Sequence, residues 1–209
     1  GMRNAHIIRG YDCKALEDTF IKAVIKGKLN LDSLKEKTPK LAVTVGMMKE
    51  LRGKIKRVKG TYEHKRMLWL MCTWMFLGSF RVSEILGDDK NNYDPVKTLL
   101  AQDVERSEPH VNGVKITMLR IKVKQPKTAR YMPEQFVELP RLGGWLCPVM
   151  AYDEWLIARK GKPPGGKPLF TMKESGQIFT SREFNKLLEG LLNSEGRKIT
   201  GSCFRAGLA

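Results

Sequence analysis

Residues 67–80 read MLWLMCTWMFLGSF, fourteen positions of which only Thr73, Gly78 and Ser79 are not hydrophobic. That is too short to span a bilayer, which takes about 20 apolar residues. A helix apolar all round its circumference must instead be covered on every side by other elements. The chain has 209 residues, enough for one ordinary domain with an appendage or for two small ones, and enough to enclose a core. The block runs straight into GSFRVSEIL, residues 78–86, where Arg81 and Glu84 stand three apart. A single helix over 61–86, buried in its middle, is expected. An arginine carried into the last turns of such a helix needs a reason.

Charge supplies a direction. Lys and Arg total 38 against 22 acids, a net charge of +16. A surface this basic repels itself unless a polyanion is its usual partner, and nucleic acid is the leading one. Cys13, Cys72, Cys147 and Cys203 form no CxxC pair, and no His stands at metal-ligand spacing. No disulfide framework is implied, so a reducing compartment is expected. Gly1 before Met2 reads as a remnant of a cleaved tag, and no signal-peptide pattern follows it.

Along the chain, Leu16, Phe20, Ile21, Val24 and Ile25 form a helical stripe over 14–27, ended by Gly27. A basic, Pro39-containing stretch over roughly 28–42 reads as a linker. Residues 1–40 are therefore expected to be the tail of an N-terminal region plus linker, and 41–209 the main domain. Residues 44–57 form a helix with Thr44 as N-cap and Met47, Met48, Leu51 and Ile55 on one face. GDDKNNYDP breaks the chain after the apolar helix. Residues 111–123 read as one strand whose alternation shifts register after Met118, by a bulge or by cover on both faces. FVELP, 136–140, returns as the second strand of a hairpin. Pro148 starts a helix over about 148–160 with Met150, Trp155 and Leu156 inward. Thr180 or Ser181 with Glu183 gives a capping box for a helix over 180–193. TGSCFRAGLA begins a last helix. The fold class is α+β, mainly helical with a small antiparallel hairpin sheet.

Three cations stand where a bland account is awkward: Arg81, Lys127 in the turn KQPKTAR, and Arg205 behind GSCF. Two arginines and a lysine converging on one phosphate make chemical sense. Arg holds phosphate oxygens through two parallel hydrogen bonds. Such cations matter most while charge builds on a transferring phosphoryl group. A lysine on a turn can protonate a leaving oxygen.

The order and context of these residues resemble the catalytic domain of the tyrosine recombinases, the integrase and transposase family that joins DNA through a phosphotyrosine. GSFRVSEIL is similar to the family's first box, with Arg81 as phosphate ligand and Glu84 as the acid that holds it. Lys127 matches the hairpin lysine, with Lys124 its competitor. SCFRAG matches the second box, with Arg205 as its arginine, and FRAG looks more like mobile-element recombinases than chromosome-resolution enzymes. The resemblance covers about residues 40–209. It implies site-specific recombination or integration, with 3′-phosphotyrosine formed and the 5′ oxygen protonated by Lys127. It also implies double-stranded DNA as partner, self-association as a tetramer on DNA in the full-length protein, and action inside the cell, in nucleus or nucleoid. No metal or other cofactor is implied, because the arginines supply the charge that a metal supplies elsewhere.

Two departures stand out. Ser202 occupies the place of the family's His. A serine does no acid–base work near neutral pH, but it can hydrogen-bond a phosphate oxygen or cap the helix. The five tyrosines, at 11, 62, 93, 131 and 152, all precede the second box, and none fits the nucleophile's position. The competing expectation is a non-enzymatic DNA-binding derivative of a recombinase. An RNA-binding protein would need exposed aromatics on the sheet, and the strands offer Phe136 and Tyr131.

The bland alternatives are specific. Arg81 with Glu84 could be an ordinary ion pair. Lys54, Lys56 and Arg57, the run Arg159-Lys160-Gly161-Lys162, and Lys124 with Arg130 are either solvated faces or contacts to the DNA backbone. His64 and His110 read as surface residues, and Trp69, Trp74, Trp145 and Trp155 as core.

Overall fold

Thr44 starts the first described helix, α1 (Val45–Arg57), by accepting a hydrogen bond from the Met47 amide at 3.2 Å. The computed structural model describes residues 41–124, 135–192 and 199–206. The expected helix over 14–27 lies outside them, as do Lys127, Arg130 and Tyr131. Met48, Leu51 and Ile55 of α1 are buried, and Met47 packs against the core from its edge.

The apolar block becomes α2 (Tyr62–Gly78), capped by Thr61, and every residue from Met67 to Phe76 is buried. Helix α1, helix α4 (Pro148–Arg159), helix α6 (Ser202–Ala206) and strand β5 (Gln135–Pro140) pack around it. Trp74 is its anchor. The indole donates to the Pro148 carbonyl at 3.3 Å, and its ring lies 5.6 Å from Tyr152 and 6.1 Å from Phe170.

The helix expected over 61–86 is two helices. Ser79 adopts the left-handed conformation (φ 51°) and ends α2. Phe80 turns inward, and a Cβ on Gly78 would lie 2.4 Å from its ring. A glycine is required there because the ring folds back over the chain. Arg81 is then extended and precedes a one-turn helix, α3 (Val82–Ile85). It stands at the start of a helix rather than in the last turns of a buried one.

The strand expected over 111–123 is also broken. Asn112 and Gly113 both have positive φ (51° and 79°) and form the tight turn between β2 (His110–Val111) and β3 (Val114–Lys115). Asn-Gly is the strongest short hairpin signal. The register shift marks the start of β4 (Met118–Val123), whose Leu119 and Ile121 are buried. A three-stranded antiparallel sheet has the order β1-β4-β5, with β1 at Val104–Ser107. The expected hairpin is β4–β5, pairing Met118 with Pro140 and Val123 with Gln135. β1 escaped the sequence reading because VERS buries only Val104.

Helix α4 begins at Pro148 as expected, but Met150 is 37% exposed. Trp155 sets the inward face, with Tyr152 one turn before it and Arg159 one turn after. Met150, five residues from Trp155, falls about 140° round the helix. Helix α5 (Ser181–Leu192) carries the capping box: the Thr180 amide donates to Glu183 at 3.0 Å, and the Glu183 amide to the Thr180 hydroxyl at 3.3 Å.

Arg159, read as part of a solvated or phosphate-contacting run, is inside. It donates to Glu63 at 2.9 Å and to the Thr171 carbonyl, and the Lys173 amide also donates to Glu63, at 3.3 Å. The pair ties the start of α2 to the end of α4. Lys162 donates to the Val104 carbonyl at 2.8 Å, and burial lowers its pKa. His64 is half-buried with its ring 5.6 Å from Phe179, not a free surface residue.

Removing one partner of a buried, hydrogen-bonded ion pair leaves the other charge uncompensated. Glu63→Ala is therefore expected to lower the free energy of unfolding by about 3–5 kcal/mol, read from urea denaturation. A second expectation concerns acid. Burial lowers the His64 pKa from 6.5, against the pull of Glu183 and Glu63. The unfolded chain then takes up the proton first. The stability due to neutral His64 is full above about pH 6.5 and is lost as pH falls toward the folded-state value. His64→Gln should flatten this part of the acid limb in urea midpoints measured from neutral pH downward.

Candidate functional site

Glu84 holds Arg81 at two points. Its Oε2 accepts from the Arg81 backbone amide at 2.7 Å and its Oε1 from the guanidinium at 2.6 Å. Spacing i, i+3 at a helix start is what lets one carboxylate reach both. Arg81 is 31% exposed and Glu84 12%. The guanidinium has five N–H donors, so the grip on Glu84 leaves donors for a second, anionic acceptor.

Arg81 lines a cleft of ≈ 630 Å³ together with Glu84, Lys97, Lys124 and the loop of Asp88, Asp89, Tyr93 and Asp94. The amides of Asn91 and Asn92 hold the Asp89 carboxyl below the usual carboxylate range, and the Val96 amide, then Lys97, does the same for Asp94. Both are ionised at neutral pH, so the loop that lines the cleft with Arg81 carries acidic charge, part of it paired with Lys97. By sequence, GDDKNNYDP reads only as a breaker. Its Asp and Asn residues signalled a turn, and their place beside Arg81 is tertiary. Tyr93 shares the cleft, but its hydroxyl donates to the Gly166 carbonyl at 2.8 Å.

The second box is brought against the first. The Gly201 amide donates to Asn185 of α5 at 3.0 Å. A Cβ on Gly201 would lie 1.9 Å from Cγ2 of Val82, the residue after Arg81. Only glycine allows the two segments this close. Phe204 is buried with its ring 6.4 Å from Phe184, and the Cys203 carbonyl accepts from the Val43 amide at 3.0 Å. These contacts leave Arg205, one turn beyond Gly201, exposed. Ser202 is exposed too, its hydroxyl 2.9 Å from that of Thr200.

The other expected cations divide. Lys124 is largely enclosed at 12% exposure, 2.7 Å from Asp103 and donating to the Pro95 carbonyl at 2.8 Å. Its charge is balanced from within the fold, by an aspartate that sequence reasoning passed over. Lys54 bonds Glu50 at 2.6 Å and the Leu191 carbonyl at 2.7 Å, tying α1 to α5. Lys56 and Arg57 are exposed at the end of α1. Phe136 is partly buried under the Arg120 guanidinium, 3.9 Å from the ring centroid. Among the described residues no cluster of His, Cys, Asp and Glu could hold a metal ion, and no helix is long and apolar enough to cross a membrane.

No family model matches the sequence, and no curated protein matches it. Solved structures do match the fold. The site-specific recombinase XerH, bound to its difH substrate in a pre-cleavage complex, aligns with a TM-score of 0.50 at 17% identity over 79% of this chain and 41% of that one. FLP recombinase in a Holliday-junction complex aligns with a TM-score of 0.52 at 14% identity over 94% of this chain and 48% of that one. The fold is thus that of a tyrosine-recombinase catalytic domain, and the chain spans less than half the length of the recombinases it matches.

Gly201→Ala should lower stability by about 1–3 kcal/mol through overpacking against Val82. Val82→Ala in the same chain should recover most of that loss. A double-mutant cycle on thermal melting checks the coupling.

Proposed function

We propose that this chain handles DNA as the catalytic domain of a site-specific recombinase or integrase. Arg81 and Arg205 hold the non-bridging oxygens of the scissile phosphate, and Glu84 orients Arg81. A tyrosine oxygen attacks phosphorus, the bond to the 5′ oxygen breaks, and Lys127 gives that oxygen its proton. The cations stabilise the charge of the pentacoordinate state without a metal. Tyr93 and Tyr152 are not suited to the attack: Tyr93 is engaged with Gly166, and burial raises Tyr152 to about 12. The observation that carries the reading is the close contact of Gly201 with Val82, which sets the two arginine-bearing segments side by side. Exposed Lys56 and Arg57 extend the cationic surface along which duplex backbone can lie.

One observation favours the second reading, a DNA-binding derivative without catalysis. Ser202 stands where the family has His, and its hydroxyl bonds Thr200. Both readings require DNA binding, and a cleavage assay on the full-length protein separates them.

Duplex affinity should fall at least about tenfold between ~50 and ~200 mM salt, by counterion release. A salt titration flat across that range counts against both readings. Arg81→Ala should weaken binding to a nicked substrate by about tenfold or more, and Lys56→Ala by only about threefold. Equal losses in an anisotropy titration would remove Arg81's special role.

A further inference from the structure

At the opposite end of α2 from Arg81 lies a second concavity, between α1 and α2, of ≈ 280 Å³. Its floor is Ile55 and Trp69, and its rim carries Arg52, Lys56, Lys65 and Arg66 with no acid among the lining residues. Tyr62 closes one side and is 60% exposed. An exposed tyrosine ordinarily swings freely, but this one is held. Arg66 donates to its hydroxyl through Nε at 2.8 Å and Nη2 at 2.6 Å, with the guanidinium 4.8 Å from the ring centroid. Arg66 is in turn fixed by Glu154 of α4 at 2.7 Å. Lys65 spends one donor on the Lys56 carbonyl, at 2.9 Å, and keeps two.

A cationic rim over an apolar floor, beside an exposed ring tied at its hydroxyl to Arg66, suits a ligand with a flat apolar body and an anionic group. Duplex DNA presents phosphates but keeps its bases stacked inside, so it uses the rim and wastes the ring. A single-stranded nucleotide uses both. The volume lies just below the ~300–1,000 Å³ of ordinary ligand clefts, which suits one residue of a polymer. We infer that this pocket is a stacking site for single-stranded DNA, with a base against Tyr62 and its phosphate at Lys56 and Lys65. The site rests on the DNA-binding reading and adds a second anchor to it. From Tyr62 to Gly78 the helix rises about 24 Å. A strand leaving the Arg81 end reaches the pocket after roughly seven stacked nucleotides at 3.4 Å each.

The test uses the full chain, a labelled oligothymidylate of about ten residues and a blunt duplex of about 20 base pairs, in anisotropy titrations at low salt. Tyr62→Ala should weaken oligothymidylate binding by about tenfold and duplex binding by less than about twofold. Tyr62→Trp should hold or raise oligothymidylate affinity, which a merely folding-linked loss would not do. Unchanged oligothymidylate affinity in Tyr62→Ala, or an equal loss on both DNAs, overturns the site. Wild-type binding to duplex but not to oligothymidylate overturns it and leaves the duplex reading standing. Tyr62-dependent binding to oligothymidylate without duplex binding supports the site and sinks the duplex reading. Binding to neither sinks both.

Discussion

The need to cover α2 on all sides organises the molecule. Ten consecutive buried residues, Met67 to Phe76, leave no face for solvent, so neighbours must enclose the helix while its ends reach the surface. Each end is fixed by a different device. At the start, Glu63 meets Arg159 in a buried pair. At the finish, left-handed Ser79 ends the helix and the Phe80 ring folds back against Gly78. Both candidate DNA contacts sit at these ends, because a rigid stem positions what it carries more accurately than a loop does. Core packing sets where the chain leaves α2, and Glu84 then orients the Arg81 side chain.

Charge acts in two ways here. The net +16 draws a polyanion at long range and says nothing about which cations touch it. Burial decides that. Arg159 and Lys124 have turned inward to Glu63 and Asp103, and Lys54 is occupied by Glu50 and a carbonyl. Arg81 lies between these cases: one carboxylate orients it without enclosing it. Lys56, Arg57 and Arg205 stay exposed. A basic run in a sequence thus overstates the cationic surface left open to a partner.

What was legible in the sequence was local. Thr44 with its apolar stripe, Pro148, and the Thr180–Glu183 box each mark a helix start through interactions spanning three or four residues. The β4–β5 hairpin was legible from two apolar runs. The break after Gly78 was not, because the pattern stays apolar through Phe80 and only a left-handed Ser79 reveals the turn. The Met150 face was misread because helical spacing allows several stripes and Trp155 selects one of them. At the candidate site, spacing allowed an Arg81–Glu84 ion pair and the resemblance gave it a role, but its form, a carboxylate capping the start of a new helix, depends on the break at Ser79. The meeting of Gly201 with Val82 joins positions over a hundred residues apart, and nothing local to either announces it. The pairing of Lys124 with Asp103 is hidden for the same reason.

Whether Arg81 and Arg205 act on one phosphate is open to a direct measurement. It can be tested by replacing single phosphates along a duplex with neutral methylphosphonates and measuring the binding of the wild type, Arg81→Ala and Arg205→Ala to each. If both hold one phosphate, there is one position where neutralisation weakens the wild type while costing either variant little, and it is the same position for both. If the two arginines map to different phosphates, or to none, the paired-arginine site does not exist.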